Sequence, residues 1–205
     1  MSEATILSNA VFLPPSNPLR VLSFEQYAAA SEVAHVKSVL AAASLSSGRS
    51  VTLTRMTDYT LVPGALASPS FDVLLVYDQG AAPAGTLGAV GQSWQSAVTR
   101  FVGAGGDVVV LDGASGSSPQ MTDFLSSASL LQTTGEVPIS PGAPLLVVAS
   151  GDAVGNFVVS PYAAQSDTVC FVTSEPNGGD VTYVVDELDG PSLLPVVIHK
   201  TVGGP

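Results

Sequence analysis

Phe71-Asp-Val-Leu-Leu-Val-Tyr-Asp78, Gly91 to Val102, Gly103-Ala-Gly-Gly106 and Asp107-Val-Val-Val-Leu111 together decide the fold. The first piece is almost continuously apolar, the pattern of a strand covered on both faces. From Gly91 to Val102, Trp94, Ala97, Val98, Phe101 and Val102 fall on one helical face. The glycine run stops that helix, and a second apolar strand begins at once. A helix joining two strands at this length makes a crossover, which closes right-handed and leaves its strands parallel. The core of the chain therefore reads as a mostly parallel sheet with helices packed on it.

On the amino-terminal side, Leu19-Arg-Val-Leu-Ser-Phe24 reads as the first strand. A helix follows over Ala28 to Ala43, with Val33, Val36, Val39 and Leu40 at helical spacing, and Gly48 suits the left-handed position beyond its end. Val51-Thr-Leu-Thr54 alternates as a second strand. Residues 1–18, which run into Pro14-Pro15-Ser-Asn-Pro18, read as an arm preceding a single domain over 19–205.

On the carboxyl-terminal side, a helix is expected over Ser118 to Leu131. Beyond Gly135 the texture becomes strand-rich: Leu145–Val148, Asn156–Val159, Val169–Val172, Val181–Val185 and Pro195–Ile198. Asn177-Gly-Gly-Asp180 has the residues of a tight hairpin turn. This half is expected to complete the parallel sheet and add an antiparallel extension at its edge.

Composition narrows the function classes. Of 205 residues, 46% are hydrophobic and only 11% charged, enough apolar material for a full core. Six basic residues against 17 acidic ones leave a net charge of −11, a field that repels phosphate backbones, so no nucleic-acid partner is expected. No apolar run approaches the roughly 20 residues of a membrane-spanning helix, so no membrane insertion is expected. Met1-Ser-Glu-Ala-Thr5 lacks the basic and apolar segments of a secretory signal; a cytoplasmic protein and an exported one shorn of its signal both fit. The single cysteine, Cys170, sits within an apolar strand and reads as a small core hydrophobe.

Three constellations could carry chemistry. The loop Asp112-Gly-Ala-Ser-Gly-Ser-Ser118 joins a strand to a helix, where backbone N–H groups can hold an anion; Ser117 or Ser118 equally serves as a helix cap. It is neither a nucleophile elbow of G-x-S-x-G form nor a phosphate loop with its lysine. A hydrolase would use Ser115 as nucleophile, His199 as base and Asp186 or Asp189 as the orienting acid, in the chain order of α/β-hydrolases. The other histidine, His35, lies within a helix beside Ala34 and Val36 and reads as structural. Carboxylates form the third set. Asp78 and Asp112 end neighbouring strands, with Glu25 or Asp58 ending others, and converging acids bind hard cations, although strand-end aspartates also cap loops. Gly151-Asp152 and Asp186-Glu-Leu-Asp-Gly190 read as acidic turns without the spacing of a calcium loop.

The run from Phe71 to Ser115, with its strand, helix, Gly103-Ala-Gly-Gly106 turn, strand and following elbow, resembles the class I glutamine amidotransferase-like superfamily, nearest its trehalose-utilisation-type branch. The resemblance covers residues 19–135 in outline and is sharp over 71–115. It implies a flavodoxin-like three-layer sandwich with any site at the carboxyl ends of the strands. It also implies a nucleophilic Cys at the elbow, or in the trehalose-utilisation-type relatives often a His; the corresponding residue here is Asp112. Thiolate chemistry on a glutamine amide is therefore not expected, and no cofactor is implied. The expectation is a non-catalytic module for binding, assembly or surface interaction, possessing a protein partner or self-associating through an edge strand of 136–205. The rivals are the Ser115/His199 or carboxylate–metal hydrolase, and a small-ligand binder at the strand ends.

Overall fold

The computed structural model describes residues 2–114, 120–188 and 194–202. In chain order the first half holds α1 (Ser2–Val11), β1 (Leu19–Phe24), α2 (Ala30–Ser47), β2 (Val51–Met56), α3 (Val62–Leu66), β3 (Val73–Val76), α4 (Thr86–Gly103) and β4 (Asp107–Val110). The second half holds α5 (Gln120–Ser127), β5 (Thr133–Pro138), β6 (Pro144–Val147), β7 (Tyr162–Ala163), β8 (Val169–Thr173), β9 (Val181–Glu187) and β10 (Pro195–Lys200).

Strands β1 to β4 form a parallel sheet in the order β2-β1-β3-β4. Successive strand residues point to opposite faces, and both faces here are apolar. Leu22, Phe24, Leu74 and Val76 meet α3, α4 and α5 through Val62, Leu66, Val90, Trp94 and Phe124. On the other face, Val21, Val73, Leu75 and Tyr77 meet α2 through Val33, Val36 and Leu40, with Val11 of α1 beside them. The result is the three-layer, flavodoxin-like α/β sandwich expected. Gly48 closes α2 at φ 68°, the left-handed stop foreseen.

Helices α4 and α5 approach so closely that a Cβ on Gly91 would lie 2.6 Å from the Phe124 carbonyl oxygen. At that position glycine is required by space rather than by backbone conformation.

The carboxyl-terminal half is antiparallel throughout. Strands β10-β9-β6-β7 make one sheet, and β5 pairs with β8 in a second. Among the described residues none of these strands joins the parallel sheet, so the half extends the sandwich without completing that sheet. Three local expectations are corrected. Asn156–Val159 is a turn, in which Phe157 takes φ 57° and stands 89% exposed. The Asn177–Asp180 turn does not join a hairpin, because β8 pairs with β5 while β9 pairs with β10 and β6. Strand β5, with its Gly135 and Pro138, was not foreseen; it is held by long-range pairing to β8 that local pattern does not announce.

Residues 1–18, read as an arm, contain the helix α1. Its Ile6 packs in the core of the antiparallel half and its Val11 under the parallel sheet. The Asn9 amide donates to the Val154 and Asn156 carbonyls at 2.9 and 2.7 Å, and Arg49 donates to the carbonyls of Phe12, Pro14 and Ser16. This segment fastens one half of the molecule to the other.

Candidate functional site

The strand order reverses between β1 and β3, so the loops leaving their carboxyl ends diverge and open a crevice, where ligands of this architecture bind. In this protein the crevice is plugged by Gln79, which is 1% exposed. Its Oε1 accepts from the Tyr27 N–H at 2.9 Å, and its Nε2 donates to the carbonyls of Tyr77 at 2.9 Å and Phe24 at 3.4 Å. Beside it, Glu25 receives Lys37 at 2.8 Å, Arg55 at 3.1 Å and the Ser23 hydroxyl at 2.7 Å. Burial pushes the Glu25 carboxyl up, but these donors outweigh it and hold its pKa below the ordinary value. Asp58 accepts from the Thr60 N–H at 2.9 Å and caps a short turn. Two of the proposed cation ligands are thus occupied by the protein itself.

One step along the sheet, the ends of β3 and β4 do bring Asp78 and Asp112 together. Asp78 is 9% exposed and its N–H donates to Glu32 Oε1 at 3.2 Å. Asp112 Oδ1 accepts from the Gly113 N–H at 2.8 Å. Its other oxygen, Oδ2, is buried, as is Oε2 of Glu136 on β5, and among the described residues neither has a donor when ionised. One proton resolves this: the Asp112 carboxyl donates to Glu136, and the two titrate as a pair.

Burial, then the charge and hydrogen bond of Glu136, then the charge of Asp78 push Asp112 up to about 8, against the opposing Gly113 N–H. Glu136 is raised by burial and by Asp78, while accepting from Asp112 pulls it back. Glu32 rises to about 7, chiefly from burial, with the Asp78 charge adding and the Asp78 N–H opposing. The elbow thus holds protonated carboxyls near neutral pH, capable of donating a hydrogen bond or a proton. Among the described residues no three His, Cys, Asp or Glu side chains gather as a metal-ligand set. Glu136 and Glu32 were missed by sequence reasoning. Glu136 lies 24 positions after Asp112 and reaches it only because β5 folds back; a glutamate in a polar strand carries no local signal of that.

The remaining candidates lie elsewhere. His199 Nδ1 faces Asp152 Oδ2 at 2.9 Å and Oδ1 at 3.1 Å, so its orienting acid is Asp152 rather than Asp186. On β9, Asp186 is four residues from Thr182, the residue paired with His199, roughly 13 Å at about 3.3 Å per residue. The His199 ring acts electrostatically on Asp107, the first residue of β4, whereas Asp112 follows the other end of that strand. The histidine and the elbow therefore belong to opposite ends of the parallel sheet. Ser115, Ser117, Ser118 and Asp189 lie outside the described residues. His35 is exposed on α2.

Cys170 is fully buried within the antiparallel core, and burial, aided by Glu187 and Asp186, pushes its thiol up to about 12. Maleimide labelling of the folded protein at pH 7.5 is expected to be at least about a hundredfold slower than in denaturant. Comparable rates in both states would contradict the burial.

The scan against protein families finds no match, and the search of curated proteins finds no relative. Among solved structures, the fold is similar to a protein described as ThuA-like from Bacteroides uniformis, with a TM-score of 0.51 and 12% identity over 91% of this chain and 77% of that one. At that identity the likeness is one of fold. It agrees with the flavodoxin-like sandwich.

Proposed function

We propose that this chain is a non-catalytic amidotransferase-like domain that serves as a binding, assembly or surface-interaction module and self-associates. The observation that carries this reading is the state of the elbow. Where the superfamily resemblance calls for a thiol or imidazole, Asp112 is engaged with Glu136, while Cys170 is buried and His199 lies toward the opposite end of the parallel sheet, beside Asp107. A carboxyl engaged by a second carboxyl is a poor nucleophile, and an unreactive thiol cannot replace it.

The antiparallel half supplies the surface. Phe157 and Val159 are 89% and 71% exposed, and Val148 lies at 45% beside the same loop. Large apolar side chains displayed this way favour contact with another protein surface. Strand β10 is an edge of its four-stranded sheet, a position to which a strand of another chain can add. Light scattering and sedimentation across a concentration series are expected to show association that weakens at least tenfold in Phe157→Asp/Val159→Ser. A protein that stays monomeric at high concentration and retains no partner in pull-downs would end this reading.

The rival is a hydrolase using Ser115 and His199, or a carboxylate-bound metal, and the place of His199 at the opposite end of the sheet from Asp112 counts against its serine form. Under it, Ser115→Ala and His199→Ala would each abolish turnover of an ester, amide or sugar-derived substrate. Turnover indifferent to both substitutions and to chelators would remove that mechanism.

A further inference from the structure

The elbow joins two parts of the molecule that share no sheet. Asp112 leaves the parallel sheet at the end of β4, and Glu136 belongs to the β5–β8 pair. The amino end of β5 has its own anchorage: the Thr133 hydroxyl donates to the Thr122 carbonyl at 3.0 Å, and Ser126 Oγ of α5 donates to the Thr133 carbonyl at 2.9 Å. Toward its carboxyl end the unit is held instead by the antiparallel core, through Ile139 and Cys170. Beside the carboxyl pair, the Ala114 N–H donates to the Asp167 carbonyl at 2.9 Å in the loop before β8.

We propose that this junction is a pH-operated latch, in which the Asp112–Glu136 pair clamps the β5–β8 unit to the end of the parallel sheet while it holds a proton and releases it once both carboxyls are ionised. Among the described residues neither Asp112 Oδ2 nor Glu136 Oε2, both buried, has another donor, so no hydrogen bond there offsets a second negative charge.

The surrounding charges all push the same way. Asp78 faces the pair from beyond the end of β3, Glu32 stands behind Asp78 on α2, and Asp167 lies in the loop against Gly113. On β8, the residue opposite Glu136 is Phe171, which carries no charge.

No base is spare to offset them, for each of the chain's six has another engagement. Lys37 and Arg55 serve Glu25, Arg20 serves Asp72 and Lys200 serves Glu175. Arg49 is bound to backbone carbonyls near the amino terminus and Arg100 to the Ser96 carbonyl on its own helix. Two like charges forced together in this setting repel strongly, and the weaker attachment opens.

The test is amide hydrogen exchange of the segments 134–140 and 164–172 from pH 6.5 to 9.5, corrected for the intrinsic rate at each pH. In the native sequence, protection of these segments is expected to fall roughly tenfold or more above pH 8 while the β1 and β3 amides hold. Glu136→Gln replaces the proton-bearing contact with an amide that donates to ionised Asp112, so its protection should stay level across the range. Asp112→Asn donates in the other direction and should behave alike, which covers the case in which one variant fails to fold. Constant protection in the native protein up to pH 9.5 would overturn the latch. So would an unchanged pH profile in the folded variants.

Discussion

Lowering the pH from 8 to 5 is expected to raise the thermal midpoint of this protein by about 5–10 °C, the reverse of what loss of carboxylate ion pairs would give. The sign follows from the buried acids. An unfolded aspartate releases its proton near 3.8, while Asp112 in the fold holds its proton to about 8 and Asp107 to about 6, both mainly through burial. Between those limits the folded state carries protons that the unfolded state has lost. Stability is therefore fully present below the unfolded values and falls as pH rises through the folded ones.

Glu32, raised to about 7, acts in the same window. One pKa unit corresponds to about 1.4 kcal/mol, so the combined effect is on the order of a few kcal/mol once the mutual coupling of Asp112 and Glu136 is allowed for. Groups with lowered values act elsewhere. Asp72, held at about 2 chiefly by its hydrogen bond from Arg20, and Glu25, lowered against its own burial by Lys37 and Ser23, lose their contributions only in more acidic solution. An optimum near pH 5 results. Calorimetry over the pH series checks this, and Asp112→Asn should flatten the slope. A midpoint that is constant or rises from pH 5 to 8 would show that these acids are not held protonated.

Trp94→Ala is expected to cost about 3–5 kcal/mol, a large part of the total stability of a domain this size. Trp94 is fully buried on α4 and stands edge-on to Phe24 of β1, 4.8 Å between ring centroids, and to Phe124 of α5, 5.4 Å. One side chain of α4 thus ties the sheet to α5. Its indole N–H also donates to the Tyr59 carbonyl at 2.9 Å. Trp94→Phe keeps most of the ring contact but leaves that carbonyl without its donor, and should cost about 1–3 kcal/mol. Denaturant midpoints of the two variants give the comparison. A loss below about 1 kcal/mol for the alanine variant would mean that the layer can collapse around the cavity.

The parallel core was legible because its signal is local. The apolar runs of β3 and β4 and the stripe holding Trp94, Val98 and Phe101 each occupy one continuous stretch, and the helix between them sets the strand direction. Strand direction in turn places Asp78 and Asp112 at the same edge, so half of the carboxyl cluster could be anticipated. Glu136 could not, since its place depends on β5 pairing with β8 more than thirty residues away. His199 shows the same limit. Its position in an apolar strand was plain, but which of several upstream aspartates would meet the ring depended on how the loop after β6 folds against β10.

By itself the sequence determined the layered α/β core, the acidic character and the scarcity of thiol and imidazole, with one cysteine and two histidines. Periodicity and composition are properties of the chain and survive any arrangement of it. Tertiary structure alone decided that Gln79 fills the crevice, that α1 fastens the two halves, and that Asp112 meets Glu136. Those are contacts between distant segments, chosen by the joint packing of all layers, and only that packing removes the water that would otherwise leave each carboxyl ionised and apart.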